Sequence, residues 1–276
     1  MTARSPRTRP TISDQIQLPI WPQTTRGVPH AIARSALFCV AQSRANGPRE
    51  HLSKKGITTV SGMEITYSGF ELRQDDEDVY LQLLHLARIH ELGAEVRFAG
   101  FSILSELSWD KSSKGYTRLV ECIERLQHTS LAIHWEDSEG SRKGYVGSLV
   151  SAFAYGEKAN VGPGSREWQI TLDPKIMALF GQHTYSRVDW NTRLKLGPMA
   201  KWLHSFYHTH EEPFPYKVDT VRGLMGSKIK ELRGFRYKLK QALAELTEVG
   251  FFRSAHIDAR TDLVIVCRAA RQEQLQ

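Results

Sequence analysis

At 276 residues with 41% hydrophobic side chains, the chain can bury one large or two small cores, and its net charge of +7 points to an anionic partner, most simply nucleic acid. No stretch approaches the ~20 apolar residues of a membrane span. Arg4, Arg7 and Arg9 have no apolar run behind them to make a secretory signal. Cys39, Cys122 and Cys267 are too scattered for a CxxC metal site or an obvious disulfide framework, which fits a reducing cytoplasm.

Residues 1–30 combine Pro6, Pro10, Pro19, Pro22 and Pro29 with Ser, Thr and Arg, and read as a flexible basic arm. Inside it lies one apolar island, Gln17-Leu18-Pro19-Ile20-Trp21. Residues 31–41 read as a short helix ended by Asn46-Gly47-Pro48. Ile57–Val60 and Met63–Tyr67 flank Ser61-Gly62 as a hairpin. The acidic run Asp75-Asp76-Glu77-Asp78 starts a helix, where its charge suits the positive end of the helix dipole, and Val79, Leu83, Leu86 and Ile89 follow at helical spacing. Val96–Phe98 is a strand and Ser102–Leu107 a short helix. After the basic turn Lys111–Gly115 comes a second, longer helix ending near His128. Strands Leu131–Trp135 and Tyr145–Tyr155 then flank a charged loop, Asp137–Lys143. Ala159–Ser165 is expected to be a loop at a wing end, near a domain boundary.

The same order of elements returns. Trp168–Leu172 is a strand, and Asp173-Pro174 and Pro198 open helices. Val218–Met225 is a short helix, and a long helix ends at Gly250. Phe251-Phe252 and Leu263–Cys267 pair around the turn Asp258–Asp262. The two long helices align at a constant offset of about 120 residues, Leu119 with Leu239, Ile123 with Leu243 and Leu126 with Leu246. Helix followed by β-ribbon is how winged-helix domains meet DNA. The expected fold is therefore α+β, two tandem winged-helix domains at residues 31–160 and 161–270, with the arm at 1–30 and a tail at 271–276.

A helix enters the major groove if its outer face carries donors. The first module offers Lys111, Lys114, Tyr116, Thr117 and Arg118, with Arg125 further along. The second offers Lys228, Lys230, Arg233, Arg236, Tyr237, Lys238 and Lys240 and is the more basic. The bland alternative for either cluster is a solvated helix face. Arg142-Lys143 and Arg253–Arg260 are candidate wing contacts. There is no phosphate-binding GxxxxGK[ST] loop and no HExxH. His204, His208 and His210 gain no Cys or carboxylate at metal-ligand spacing, and Tyr207 lacks the surroundings of a nucleophile. No catalysis, cofactor or metal is expected.

Arg34–Phe38, Ile65-Thr66-Tyr67-Ser68-Gly69-Phe70-Glu71-Leu72-Arg73-Gln74-Asp75-Asp76, Glu121–Gln127, Leu196–Ala200 and Pro213–Lys217 resemble the TrfA family of plasmid replication initiators from broad-host-range IncP plasmids. The resemblance runs from about Leu18 to Arg268, and the ITYSG-ELR-DD pattern is its most specific part. It implies tandem winged-helix domains that bind repeated sites (iterons) in double-stranded origin DNA as a monomer. It also implies origin opening with access to single-stranded origin DNA, recruitment of the host helicase, initiator and sliding clamp, and a monomer–dimer equilibrium that limits copy number. The chain departs from the longer family form in having little N-terminal extension, which puts the helicase contacts expected there in doubt. Gln17, Leu18, Ile20 and Trp21 resemble a clamp-binding peptide; packing of Trp21 on the first domain is the alternative. A winged-helix transcriptional repressor is the competing function, and a metal-dependent nickase a more distant one.

Overall fold

The computed structural model describes residues 17–42, 47–60, 62–136, 140–156, 167–180 and 184–269. Most of the expected arm, the expected wing-end loop Ala159–Ser165 and the tail lie outside the described residues. The chain enters through β1 (Thr25–Pro29), a single turn α1 (His30–Ala33) and β2 (Phe38–Cys39). The helix expected over 31–41 is thus only one turn long. Phe38-Cys39 instead pairs in parallel with β5 (Leu72–Arg73), after the hairpin of β3 (His51–Ile57) and β4 (Met63–Phe70).

Next come α2 (Gln74–Ala87), β6 (Val96–Ala99), α3 (Gly100–Glu106) and α4 (Ser113–Gln127). Strands β7 (Ser130–Glu136), β8 (Arg142–Gly147), β9 (Ala152–Tyr155) and β10 (Glu167–Thr171) follow. Asp173 then accepts a hydrogen bond from Lys175 N at 2.8 Å and starts a 3-10 turn, Pro174–Leu179, in place of an α-helix. The remainder is β11 (Tyr185–Asp189), α5 (Trp190–Lys195), α6 (Pro198–His208), β12 (Tyr216–Lys217), α7 (Val218–Leu224), α8 (Leu232–Glu248), β13 (Phe252–Ile257) and β14 (Leu263–Arg268).

One connectivity occurs twice. The sequence helix, strand, helix, helix, strand, strand is traced by α2-β6-α3-α4-β9-β10 and again by α6-β12-α7-α8-β13-β14. The three strands of each unit order in the same way, β6-β10-β9 and β12-β14-β13. The first unit differs by an inserted hairpin, β7–β8, which joins β3 and β4 in a four-stranded sheet of order β3-β4-β7-β8.

That insertion corrects the sequence reading of the first ribbon. Leu131 and Ile133 sit opposite Tyr67 and Ile65 of β4 and bury there, so the apolar alternation of β7 serves a separate sheet. The expected strand Tyr145–Tyr155 is split because Leu149 and Val150 turn into the core, with Val150 N donating to Leu126 O. The ribbon after α4 is β9–β10, and Arg142 lies on the inserted hairpin, where it pairs with Glu64 at 3.0 Å.

The division of the cores does not coincide with the expected boundaries at 30/31 and 160/161. The first core takes in Leu18 and Trp21 at one end and Leu172, Ile176, Phe180, Val188 and Trp190 at the other. The second begins at Leu196 and borrows Val40. The physical reason is pairing between distant strands: β1 lies antiparallel to β11, and β10 to β6. Trp21 is 2% exposed, stacks on Phe180 and donates its indole N–H to His85 Nδ1 at 3.0 Å.

The acidic run is more than a helix start. Asp76 Oδ2 accepts from Arg73 N at 2.8 Å, as a helix cap should. Arg49 also bonds Asp75 and Asp76 at 2.8 and 2.6 Å, and Arg125 bonds Asp76 at 2.9 Å. Glu77 and Asp78 hold the fully buried Arg193 of α5 at 3.2 and 2.8 Å, and Asp78 also pairs with Lys201 of α6. One turn of α2 therefore anchors the first unit internally and ties it to the second.

Candidate nucleic-acid interface

The second unit carries the stronger basic surface. Helix α8 buries Phe235, Leu239, Ala242, Leu243 and Leu246, an i, i+4, i+7, i+8, i+11 stripe, against the core. The opposite face is left to Arg233, Tyr237 and Lys240, with Lys238 at the flank of the stripe and Lys230 just ahead of the helix, and all five are exposed. Tyr237 is 62% exposed, a large ring offered to solvent among cations, with the Lys238 ammonium 5.8 Å from its centroid. Cations that lie opposite a core stripe are held in one direction by the helix itself, which suits contact with a phosphate backbone.

Two members of the expected cluster have other work. Arg236 forms a two-pronged pair with Asp262, Nε to Oδ1 at 2.7 Å and Nη2 to Oδ2 at 2.8 Å. Asp262 sits at φ 57 in the turn between β13 and β14, so this pair fixes the ribbon against the helix. The hydrogen bond from Arg236 holds the Asp262 carboxyl below its usual range. Lys228 reaches back to the first unit, with its ammonium 2.5 Å from Glu71 Oε2 and 3.0 Å from Glu50 Oε1. Arg236 thus braces the ribbon and Lys228 the loop ahead of α8, where the sequence offered both only as groove contacts, and each keeps part of its side chain exposed, 37% and 25%.

The ribbon tip is ordered by Asp258, whose Oδ1 accepts from Arg260 N, Thr261 N and the Thr261 hydroxyl at 3.0, 2.7 and 2.7 Å. These bonds keep the Asp258 carboxyl below its usual range and leave the Arg260 side chain exposed. Arg253 points to Cys267 Sγ at 2.9 Å, along the strand.

The first unit offers less. Lys111, Lys114, Thr117 and Arg118 are exposed, but the Lys111 ammonium lies 4.2 Å above the Phe101 ring. Arg118 stacks on Trp109 at 3.8 Å and pairs with Asp75 at 3.4 Å. The Thr117 hydroxyl donates to Ser113 O at 3.0 Å. Tyr116 is 7% exposed and packs edge-on against Trp168 of β10, so it is a core residue that joins α4 to the ribbon, not a DNA contact. Arg125 is held by Asp76 and likewise faces inward. Gly115 is required here, because a Cβ would stand 1.7 Å from Asp110 O.

The expected clamp peptide is placed differently from a free ligand. Leu18 and Trp21 are buried in the first core, and of its apolar members only Ile20, 75% exposed, projects outward. Docking of both anchors in a partner's pocket would require their removal from this core, so the alternative reading of the segment is the one the structure supports. His204 and His208 face each other with Nε2 atoms 3.2 Å apart, and burial drives the His204 pKa well below its usual value. Among the described residues no group of three His, Cys, Asp or Glu side chains is placed to hold a metal, and no helix is long and apolar enough to cross a membrane.

Fold and surface together define a class: mixed α/β proteins with two helix-and-ribbon units, one of which presents a strongly basic helix face. Solved structures share this fold. Domains 2 and 3 of RctB align with a TM-score of 0.55 and 15% identity, over 79% of this chain and 85% of that one. A second RctB structure of the same domains aligns with a TM-score of 0.51, again at 15% identity, over 83% and 85%. The chain belongs to the family described as TrfA protein, whose model matches residues 11–268. It is 31% identical over 240 residues to the plasmid replication initiator protein TrfA of Escherichia coli, an alignment covering 86% of this chain and 61% of that relative.

Proposed function

We propose that the chain is a plasmid replication initiator that recognises repeated sites in double-stranded origin DNA, with each helix-and-ribbon unit acting as a winged-helix module. The observation that carries this reading is the exposed surface of α8, with Arg233, Tyr237 and Lys240 lying opposite the core stripe and Lys238 exposed at its flank. It has the sign, the side-chain chemistry and the helical presentation that major-groove entry requires. In the first unit Lys114, with Lys111 and Arg118 at the edge of the helix, supplies a weaker contact. The Arg236–Asp262 pair sets the ribbon so that Arg260 reaches the flanking backbone.

In this reading the protein acts by binding and deforming origin DNA and not by catalysis. The proposal extends to origin opening, loading of host replication proteins and a shift between monomer and dimer, with the family relationship as its support. Footprinting on DNA adjacent to the gene tests the proposal. Evenly spaced protected repeats are expected, and protection of a single palindromic operator would favour a repressor instead.

A further inference from the structure

A cavity of about 820 Å³ opens where α1 and β11, which pack on the first core, meet the C-terminal end of α6 and the end of β14. Its walls carry Arg34, Arg187, Arg268, His30 and His208, and Glu211 is the single acid among the lining residues. The volume falls in the range of sites for nucleotide-sized ligands. The walls are braced: His30 Nε2 and Ser186 Oγ lie 2.9 Å apart, Ser186 Oγ donates to His208 O at 2.9 Å, and Arg268 donates to His210 O at 3.0 Å.

Arg34 has no carboxylate partner among the described residues. The strongly buried arginines elsewhere each meet a carboxylate: Arg26 with Glu106, Arg73 with Glu71, Arg193 with Glu77 and Asp78. Arg34 is half-buried, yet it donates only to the Thr209 hydroxyl at 2.8 Å and to the Thr209 carbonyl. Among the described residues neither Arg34 nor Arg187 forms an ion pair. Burial lowers the Arg34 pKa, since a cation taken out of water without a counter-charge is disfavoured.

We propose that this cavity binds a phosphate-bearing anion, gripped by the Arg34, Arg187 and Arg268 guanidiniums. Guanidinium groups match phosphoryl oxygens two at a time, and an anion would supply the charge that the wall lacks. The phosphoryl group belongs either to a free nucleotide-sized ligand or to a DNA backbone. The site goes beyond the origin-binding reading, because it shares no residue with the exposed faces of α4 or α8.

The test is calorimetric titration of the full chain with sodium pyrophosphate and with ATP, alongside duplex binding, for wild type, Arg187→Gln and Arg34→Gln. Arg187 is exposed and holds no ion pair, so Arg187→Gln preserves the fold. A free ligand predicts saturable binding of pyrophosphate or ATP that weakens about tenfold or more in Arg187→Gln, with duplex affinity unchanged. A backbone phosphate predicts weaker duplex binding in Arg187→Gln, with a salt slope shallower by about 0.9, and no saturable binding of either free anion. Wild-type behaviour of both variants in both assays overturns the proposal. A variant lacking Arg233, Lys238 and Lys240 separates the two readings, since it should lose duplex binding and keep any pyrophosphate binding.

Discussion

The charges on α8 should set the salt dependence of DNA binding by an amount that depends on how many are free. The cluster from Lys228 to Lys240 holds six cations: Lys228, Lys230, Arg233, Arg236, Lys238 and Lys240. Lys228 is engaged by Glu71 and Glu50, and Arg236 by Asp262. Each neutralised phosphate contributes about 0.9 to the slope of log affinity against log salt. Four free cations at about 0.9 each give about 3.6, against about 5.4 if all six made contact. Replacing Arg233, Lys238 and Lys240 by Ala should therefore make the slope shallower by about 2.7. Over a fourfold rise in salt, that difference corresponds to about 40-fold in relative affinity.

Lys228→Ala should leave the slope unchanged, because its ammonium is already neutralised within the protein. The assay is fluorescence anisotropy on a labelled duplex carrying one origin repeat, titrated at several salt concentrations, with circular dichroism melting to verify the fold. A triple variant with the wild-type slope would refute the placement of the interface. A drop of about one unit in Lys228→Ala would refute the claim that this lysine is committed elsewhere.

Four further outcomes follow from the packing and the buried charges. Trp21→Ala should cost about 3–5 kcal/mol in urea unfolding, as for a large aromatic removed from a core, whereas Ile20→Ala should stay within about 0.5 kcal/mol; equal, small effects would return the segment to the role of a free peptide. Arg193→Met should destabilise by about 3–5 kcal/mol by leaving Glu77 buried without its cation and Asp78 with Lys201 alone, and adding Glu77→Gln should recover much of the loss. Burial, with repulsion from Arg26 and Arg88, lowers the His85 pKa to about 3, while an unfolded His titrates near about 6.5. The unfolded chain thus takes up a proton that the native one refuses, so stability is full above about pH 6.5 and falls towards pH 3; His85→Gln should flatten that part of the curve in pH-dependent melting. Gly115→Ala should weaken both folding and DNA binding, since the turn from Asp110 must open to admit a methyl group; a variant with wild-type melting temperature would contradict the 1.7 Å approach.

Much of this protein was readable from periodicity. The apolar spacing of Leu119, Ile123 and Leu126, and of Leu239, Leu243 and Leu246, set out both long helices and their inner faces. Pro198 and the turn at Asp258–Asp262 marked ends of elements through local backbone preference alone. The short helix ahead of each long one was also visible, as was the basic outer face of α8, because each depends on residues close together in the chain; strand β12, two residues long, was not, and Trp168–Leu172, read as opening the second copy, pairs instead with β6 and β9 of the first.

Partners far apart in the chain decided the rest. Nothing local distinguishes Lys228, which closes on Glu71, from Lys238, which is exposed, or Tyr116, which meets Trp168, from Tyr237, which is largely exposed. The acidic run at Asp75–Asp78 carried a helix-start signature, yet its second use, binding Arg49, Arg125 and Arg193, exists only where four separate segments converge. The same holds for Trp21 and for the ribbon of the first unit, since β1 needs β11, and β10 needs β6, before either core closes. By itself the sequence determined the kinds of element, their order and their sign of charge. Only the tertiary structure decided which cations remain unpaired and face outward, because pairing is a property of distance in space and the sequence encodes distance along the chain.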